Sequence, residues 1–527
     1  MLQLFARITP TNTATPDMMD FCHVANYSYI LSEPIRKIMK NFKAKPNYFA
    51  VCCLILISVL FPACNNDNES KRSSRKQDAT NGQMTPRDLD EIKEDGKLVA
   101  LTTFSNTSYF LYRGQTMGFE YELLKRYADY LDVELEIKVS HSIDSLLPKI
   151  QNGEADILAH GMTITSDRKN KVDFTDYLFL THQVLVQKKP DNWRQMHWSE
   201  IDKALIHDAI ELIGDTVSIR KNSSYFKRIQ NLSKEIGGKI HIDTLPGDLS
   251  TDEIIQMVSE GKIKYTIADD NIASIMASYL PVLNIEVPVS FSQRISWAVN
   301  QSSENLLAET NEWLKQMKDE VDYYVIYNKY FKNRSRFKTR VESEFYSLNN
   351  NKISRYDETI QKYAQQIGWD WRLLASQIYQ ESQFDPVARS WAGAQGLMQI
   401  MPATARELGV INVYNPEQSI KGGTKYLDQI YDRFDEIEDS IQRIKFTLAS
   451  YNCGYGHVLD AQELAKFQNL KDDIWDDNVE KMILKLSNPQ YYNLPIIKYG
   501  YVRGMEPYLY VDHIFKRYVH YRQFIKN

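Results

Sequence analysis

The hydrophobic pattern of this chain changes period once, and that change divides it. From Leu89 to about Phe331, short apolar runs alternate with amphipathic stretches. Lys97-Leu98-Val99-Ala100-Leu101 reads as a strand and Phe119 to Leu131 carries helical period. Val133-Glu134-Leu135-Glu136-Ile137 then alternates at period two, and Ile143 to Asn152 is helical again. Alternation of this kind implies an α/β sheet. A second set of units runs from Ala204 to about Ala277, and Ile295-Ser296-Trp297-Ala298-Val299 brings the chain back before a helix near Leu306 to Lys318. Two lobes with a late crossover predict a cleft between them. After residue 352 strand signals nearly vanish. Helical periods cover Tyr356 to Gln366, Arg372 to Glu381, Thr404 to Leu408, Gly423 to Phe434, Ser440 to Tyr451 and Tyr508 to Phe524. The expected fold is therefore multidomain: a two-lobed α/β domain over 88–332, a basic and polar linker over 333–352, and an all-α domain over 353–527.

A length of 527 residues agrees with two folded domains plus tails. The net charge of -5 gives no reason to expect a nucleic-acid partner. Of the cysteines, Cys22, Cys52, Cys53 and Cys64 precede the first domain and only Cys453 follows, so no disulfide framework or CxxC metal spacing can be built. The histidines lack an HExxH pattern, so no metal site and no cofactor are implied. Residues 1–63 read as an upstream and signal segment, with Lys40, Lys43 and Lys45 before the apolar run Tyr48 to Leu60, and Met39 as a candidate initiator. The run is short for a membrane span. Phe61-Pro62-Ala63-Cys64 sets a small residue before a cysteine, which resembles a bacterial lipoprotein signal and implies lipidation of Cys64 and a membrane partner through the anchor. Residues 64–87 carry too little apolar surface to fold and read as a tether reaching roughly 25 Å on average.

Three short motifs carry the chemistry: Gln380-Glu381-Ser382, Gly396-Leu397-Met398-Gln399 and Ser450-Tyr451-Asn452-Cys453-Gly454. Leu374, Ile378 and Glu381 fall at i, i+4 and i+7, so Glu381 shares the apolar face of its helix. Pro386 predicts a helix end near Glu381. Partial burial and the negative end of the helix dipole both disfavour its charge, which predicts a raised pKa and a proton to donate near neutrality. Glycosidases normally use two carboxylates. Asp385 is the only nearby candidate, and its place before Pro386 favours a turn-forming role. A single carboxylic acid must find its nucleophile in the substrate, and the 6-hydroxyl of N-acetylmuramic acid in peptidoglycan is one.

Residues 354 to 513 resemble the family 1 lytic transglycosylase domain with its lysozyme-like fold, on Glu381-Ser382, Gly396-Leu397-Met398-Gln399, Tyr451-Asn452-Cys453-Gly454 and Tyr510. The departures are Ser450 for the family's usual Ala and Cys453 for its Ala or Gly, both small residues. The resemblance implies peptidoglycan glycan strands as partner and cleavage to 1,6-anhydromuramyl ends, with Glu381 as acid and then base. It implies that Ser382 orients Glu381 or the substrate, that Gln399 and Asn452 hold acetamido or hydroxyl groups, and that Met398, Tyr451 and Tyr510 line the groove. The α/β region resembles the type-3 periplasmic solute-binding family, on Gly118 to Leu123, Asn152 to Ile157 and Met162-Thr163-Ile164-Thr165-Ser166-Asp167-Arg168. That likeness implies a periplasmic-binding-protein-like domain with an amino acid or muropeptide ligand, held by Thr163, by Arg168 on its carboxylate, and by Asp269 or Asp270 on its ammonium. Together these features imply the periplasmic face of the outer membrane. A lysozyme-like hydrolase using Asp385 and a noncatalytic glycan-gripping receptor stand as alternatives.

Overall fold

The computed structural model describes residues 85–348 and 350–526. The signal-like segment, Cys64 and nearly all of the tether lie outside the described residues.

Lys97–Thr102 pairs in parallel with Glu134–Val139 on one side and Ile157–Thr163 on the other. Gln293–Val299 then runs antiparallel beside Ile157–Thr163 and carries Asp173–Phe174 and Phe179–Thr181, completing a six-stranded sheet. Parallel neighbours need crossovers, and the helix Phe119–Leu131 supplies the first. It buries Phe119, Leu123, Leu124, Tyr127 and Leu131 on one stripe and stops at Asp132 in the left-handed conformation. The second lobe is built on Gln183–Lys188, antiparallel to Tyr265–Asp269 and Leu283–Asn284, with Thr216–Arg220 and His241–Leu245 paired in parallel beside it.

The C-terminal region is helical. Ser440–Cys453 runs through its middle, burying the unbroken run Phe446 to Ser450, and packs on Trp371–Ser382's partner Met505–Phe524, on Pro416–Asp432 and on Tyr455–Phe467. A helix apolar on most sides belongs at the centre of its domain.

Residues 333–352 are not an open linker. Arg334–Val341 is a helix that buries Phe337 and Val341, Tyr346 follows fully buried, and the Arg340 guanidinium lies over the rings of Phe110 (4.6 Å) and Phe337 (5.3 Å). The apolar face here is only two side chains wide, and the surrounding cations mask it. The helix expected from Gly423 begins at Pro416, capped by Asn415, whose side chain accepts the Gln418 N–H. Gly422 and Gly423 sit inside it because a Cβ on Gly423 would come within 2.7 Å of Met398.

A small hairpin, Phe110–Tyr112 with Gln115–Met117, leaves the α/β region and turns at Arg113 (φ 50) and Gly114 (φ 76). Two successive positive φ values define the tight turn that matches strand twist. Its Leu111 is fully buried in the helical core, and the Tyr521 hydroxyl donates to the Gly114 carbonyl at 2.8 Å.

Candidate active site

The helix Trp371–Ser382 begins at Asp370, whose side chain accepts the Arg372 N–H, and ends as Gln383 (φ 52) and Phe384 (φ 64) turn left-handed before Pro386. The sequence places this end correctly. Leu374 and Ile378 are fully buried, and Glu381, on the same face, is half-buried. The Tyr510 hydroxyl donates to Glu381 Oε1, and the Gln377 amide donates to the Tyr510 oxygen at 3.2 Å. Burial pushes the Glu381 carboxyl up to about 7, against the hydrogen bond from Tyr510, which favours the charged form. No carboxylate is among the groups that shift it. Asp385 is exposed and accepts the Val387 N–H at 3.0 Å, a turn-forming contact.

The remaining motif residues make different contacts. Ser382 Oγ donates to the carbonyls of Ile378 (3.1 Å) and Leu397 (2.9 Å), so it fastens the helix end to the Gly396 turn and does not bond Glu381. Met398 is fully buried against Gly423, so it packs inside the helical core. Its carbonyl accepts the Tyr451 hydroxyl at 2.7 Å, and Tyr451 stands close enough to Glu381 for the carboxylate to raise its pKa, after the larger effect of burial. Gln399 (φ 47) folds its amide back onto the carbonyls of Gly396 (2.9 Å) and Ala388 (3.1 Å). Asn452 is exposed in the last turn of Ser440–Cys453. Burial pushes the Cys453 thiol up to about 12, which suits a packing side chain and not a nucleophile. Gln377 was missed by the motif reading. Its signal was the i, i+4 spacing to Glu381 on one helix face.

Glu381 also makes the protein's stability depend on pH. An acid raised from 4.5 to about 7 contributes stability that is complete below its unfolded value and lost as pH rises through the folded one. Glu381→Gln carries no such penalty. Thermal unfolding should find the variant more stable than wild type by about 2–3 kcal/mol near pH 8, with the gap closing toward about pH 4.

In the α/β region, Thr163, Arg168 and Asp269 line one cavity between the lobes. Arg168 donates to the Thr163 carbonyl at 2.8 Å. Asp269 is buried at the end of its strand, with Oδ2 accepting from the Tyr225 hydroxyl at 3.2 Å and Oδ1 without a partner. Asp270 instead accepts from Ser274 at 3.0 Å in the following helix, so Asp269 is the cavity residue of the two. Sequence reading missed Glu120 and Arg220, which line the same cavity.

Comparison with known proteins agrees with this division. Residues 97–333 match the bacterial extracellular solute-binding proteins, family 3, and residues 358–474 match the transglycosylase SLT domain. The fold and the site thus define a lytic transglycosylase with an appended binding domain. A membrane-bound lytic murein transglycosylase F of Desulfosudis oleivorans is 35% identical over 428 residues, 81% of this chain and 90% of the relative. Its namesake in Pseudomonas fluorescens is 32% identical over 439 residues, 82% of this chain and 86% of the relative. The chain belongs to the membrane-bound lytic murein transglycosylase F family. Among solved structures, an ancestral amino acid-binding protein is 28% identical, covering 46% of this chain and 99% of its own, with a TM-score of 0.37.

Proposed function

We propose that Glu381 performs both proton transfers of peptidoglycan cleavage between N-acetylmuramic acid and N-acetylglucosamine. The protonated carboxyl donates to the glycosidic oxygen as the C1–O bond breaks. The resulting carboxylate then takes the proton of the muramyl 6-hydroxyl as that oxygen bonds to C1. The acid is regenerated, no water is consumed, and the product ends in a 1,6-anhydro ring. The observation that carries this reading is one carboxyl, half-buried, raised to about 7 and bonded by Tyr510, with Asp385 turned to other work. Tyr510 holds the carboxyl in place, and its bond stabilises the carboxylate formed after the first step. Tyr451 and Asn452 border the groove, Gln399 shapes the turn beside it, and Ser382 and Met398 support it. If Glu381 must start protonated, digestion of purified sacculi should slow roughly tenfold per pH unit above about 7. A rate that keeps rising through this range contradicts the assignment.

The α/β domain binds an amino acid, free or at the end of a muropeptide, with Arg168 on its carboxylate and Asp269 Oδ1 on its ammonium. The family's name supports a cell-envelope location on the periplasmic side. Lipidation at Cys64 would hold the enzyme to the outer membrane; among the described residues no helix is long and apolar enough to cross a membrane. Ligand binding regulates cleavage through the hairpin. Ser108 and Glu120, just before and just after it in the chain, line the ligand cavity, while Gly114, at its tip, lies against Tyr379 and Phe384, which flank Glu381 in sequence. An amino acid that raises the melting temperature should therefore change turnover at least twofold. Tyr521→Phe, lacking the bond to Gly114, should lose that response while keeping the thermal shift. If a saturating, stabilising ligand leaves wild-type turnover unchanged, regulation is refuted.

A further inference from the structure

We infer that the cleft of the α/β domain takes an amino acid bearing a second carboxylate, and that Arg220 receives it. The inference rests on the reading of Arg168 and Asp269 as the pair that holds the amino-acid head. Arg168 and Arg220 approach the cavity from opposite lobes, the first just after the strand Ile157–Thr163 and the second at the end of Thr216–Arg220. Each donates to one backbone carbonyl, Arg168 to Thr163 at 2.8 Å and Arg220 to Leu249 at 3.3 Å. Neither has an ion-pair partner among the described residues. A guanidinium carries five N–H donors in a planar fork, so both keep donors for a ligand.

Two like charges in one cavity, Arg220 buried and Arg168 half-buried, oppose each other. Burial lowers the Arg168 pKa, and Arg220 lowers it further. Burial first, and then both arginines, hold His160 down at about 3, so it stays neutral and adds no third charge. One α-carboxylate satisfies one fork. Asp269 and Asp144 act on Arg220 only through space, and Asp144 Oδ2 accepts from the Asn222 amide at 3.1 Å, so a neutral ligand side chain would leave the remaining donors of this buried guanidinium without a bonded anion. A second carboxylate supplies that anion and joins the lobes through one molecule.

The other charged groups of the cavity fit this ligand. Asp269 Oδ1, buried and unpartnered, faces the ammonium. Asp252 is already occupied by the Asn106 N–H at 2.8 Å. Glu120 has Oε2 unpartnered, and burial pushes its carboxyl up to about 7, so near neutrality it donates a proton to a ligand oxygen or accepts one from an amine.

The test is calorimetric titration of the full chain with L-glutamate against L-glutamine, and with meso-diaminopimelate against L-lysine. Each pair differs by the second carboxylate. In wild type, glutamate should bind at least tenfold more tightly than glutamine, and diaminopimelate at least tenfold more tightly than lysine. Arg220→Gln should erase both preferences while leaving glutamine within threefold of wild type. Arg220→Lys, which keeps the charge and guards against a folding defect, should retain a preference of threefold or more. Arg168→Gln should weaken all four ligands. Equal binding of glutamate and glutamine by wild type, or equal losses of both in Arg220→Gln, overturns the second-carboxylate assignment and leaves the amino-acid site standing. Failure of all four to bind overturns the amino-acid site itself.

Discussion

Glu381→Gln should lower the rate of peptidoglycan cleavage by about 10⁴-fold, the upper end of what a general acid contributes, because one group serves both proton transfers. The amide matches the carboxyl in shape and still accepts the Tyr510 hydrogen bond, so sedimentation with purified sacculi should show glycan affinity within a few-fold of wild type. Loss of rate without loss of binding is the pattern of an interaction made only in the transition state. Retention of a tenth or more of the activity would mean that another acid serves the reaction, and Asp385 would be the first to test.

A second large effect is expected far from any proton transfer. Gly396 opens the turn that carries Leu397, Met398 and Gln399 at φ +78, and a Cβ there would lie 2.0 Å from the Val413 carbonyl oxygen. A backbone carbonyl cannot swing aside as a side-chain end can. Gly396→Ala should therefore cost about 4 kcal/mol or more, combining the left-handed conformation with displacement of the 413 strand of chain. Gly409 makes the control, because it is equally left-handed at φ +74 but has nothing within 4 Å of its Cβ position. Gly409→Ala should cost only about 1–2 kcal/mol. Thermal unfolding of both variants separates conformational strain from the clash. Similar melting temperatures would show that the turn yields and that the Gly396 motif is not sterically enforced.

The legible parts of this protein were those set by local pattern. The switch from strand-helix alternation to helical period is a sum over many residues, and the strands Lys97–Thr102 and Glu134–Val139 and the helices Phe119–Leu131 and Trp371–Ser382 follow it. Glu381 was legible because its helix face, its terminus and Pro386 all act within a few residues of it. What escaped depends on partners distant in sequence. Arg340 looked like linker because the rings it lies over come from Phe110 and Tyr330. Ser382 looked like a companion of Glu381, but its hydroxyl is taken by carbonyls of Ile378 and of Leu397 across the turn. Met398 looked like a groove wall, and the absence of side chains at Gly423 draws it inside instead. Arg220 stood in no motif at all; only the packing of two lobes brings it opposite Arg168. The hairpin at Arg113-Gly114 was likewise silent, since three-residue strands carry almost no periodic signal.

The central claim is that the substrate's own 6-hydroxyl closes on C1 in place of water. Mass spectrometry of sacculi digested in water enriched in heavy oxygen reads this directly. The account predicts that newly formed muramyl ends are 1,6-anhydro, lighter by one water than reducing ends, and free of label. Reducing ends carrying heavy oxygen would contradict it, and would require a water and a second carboxylate at this site.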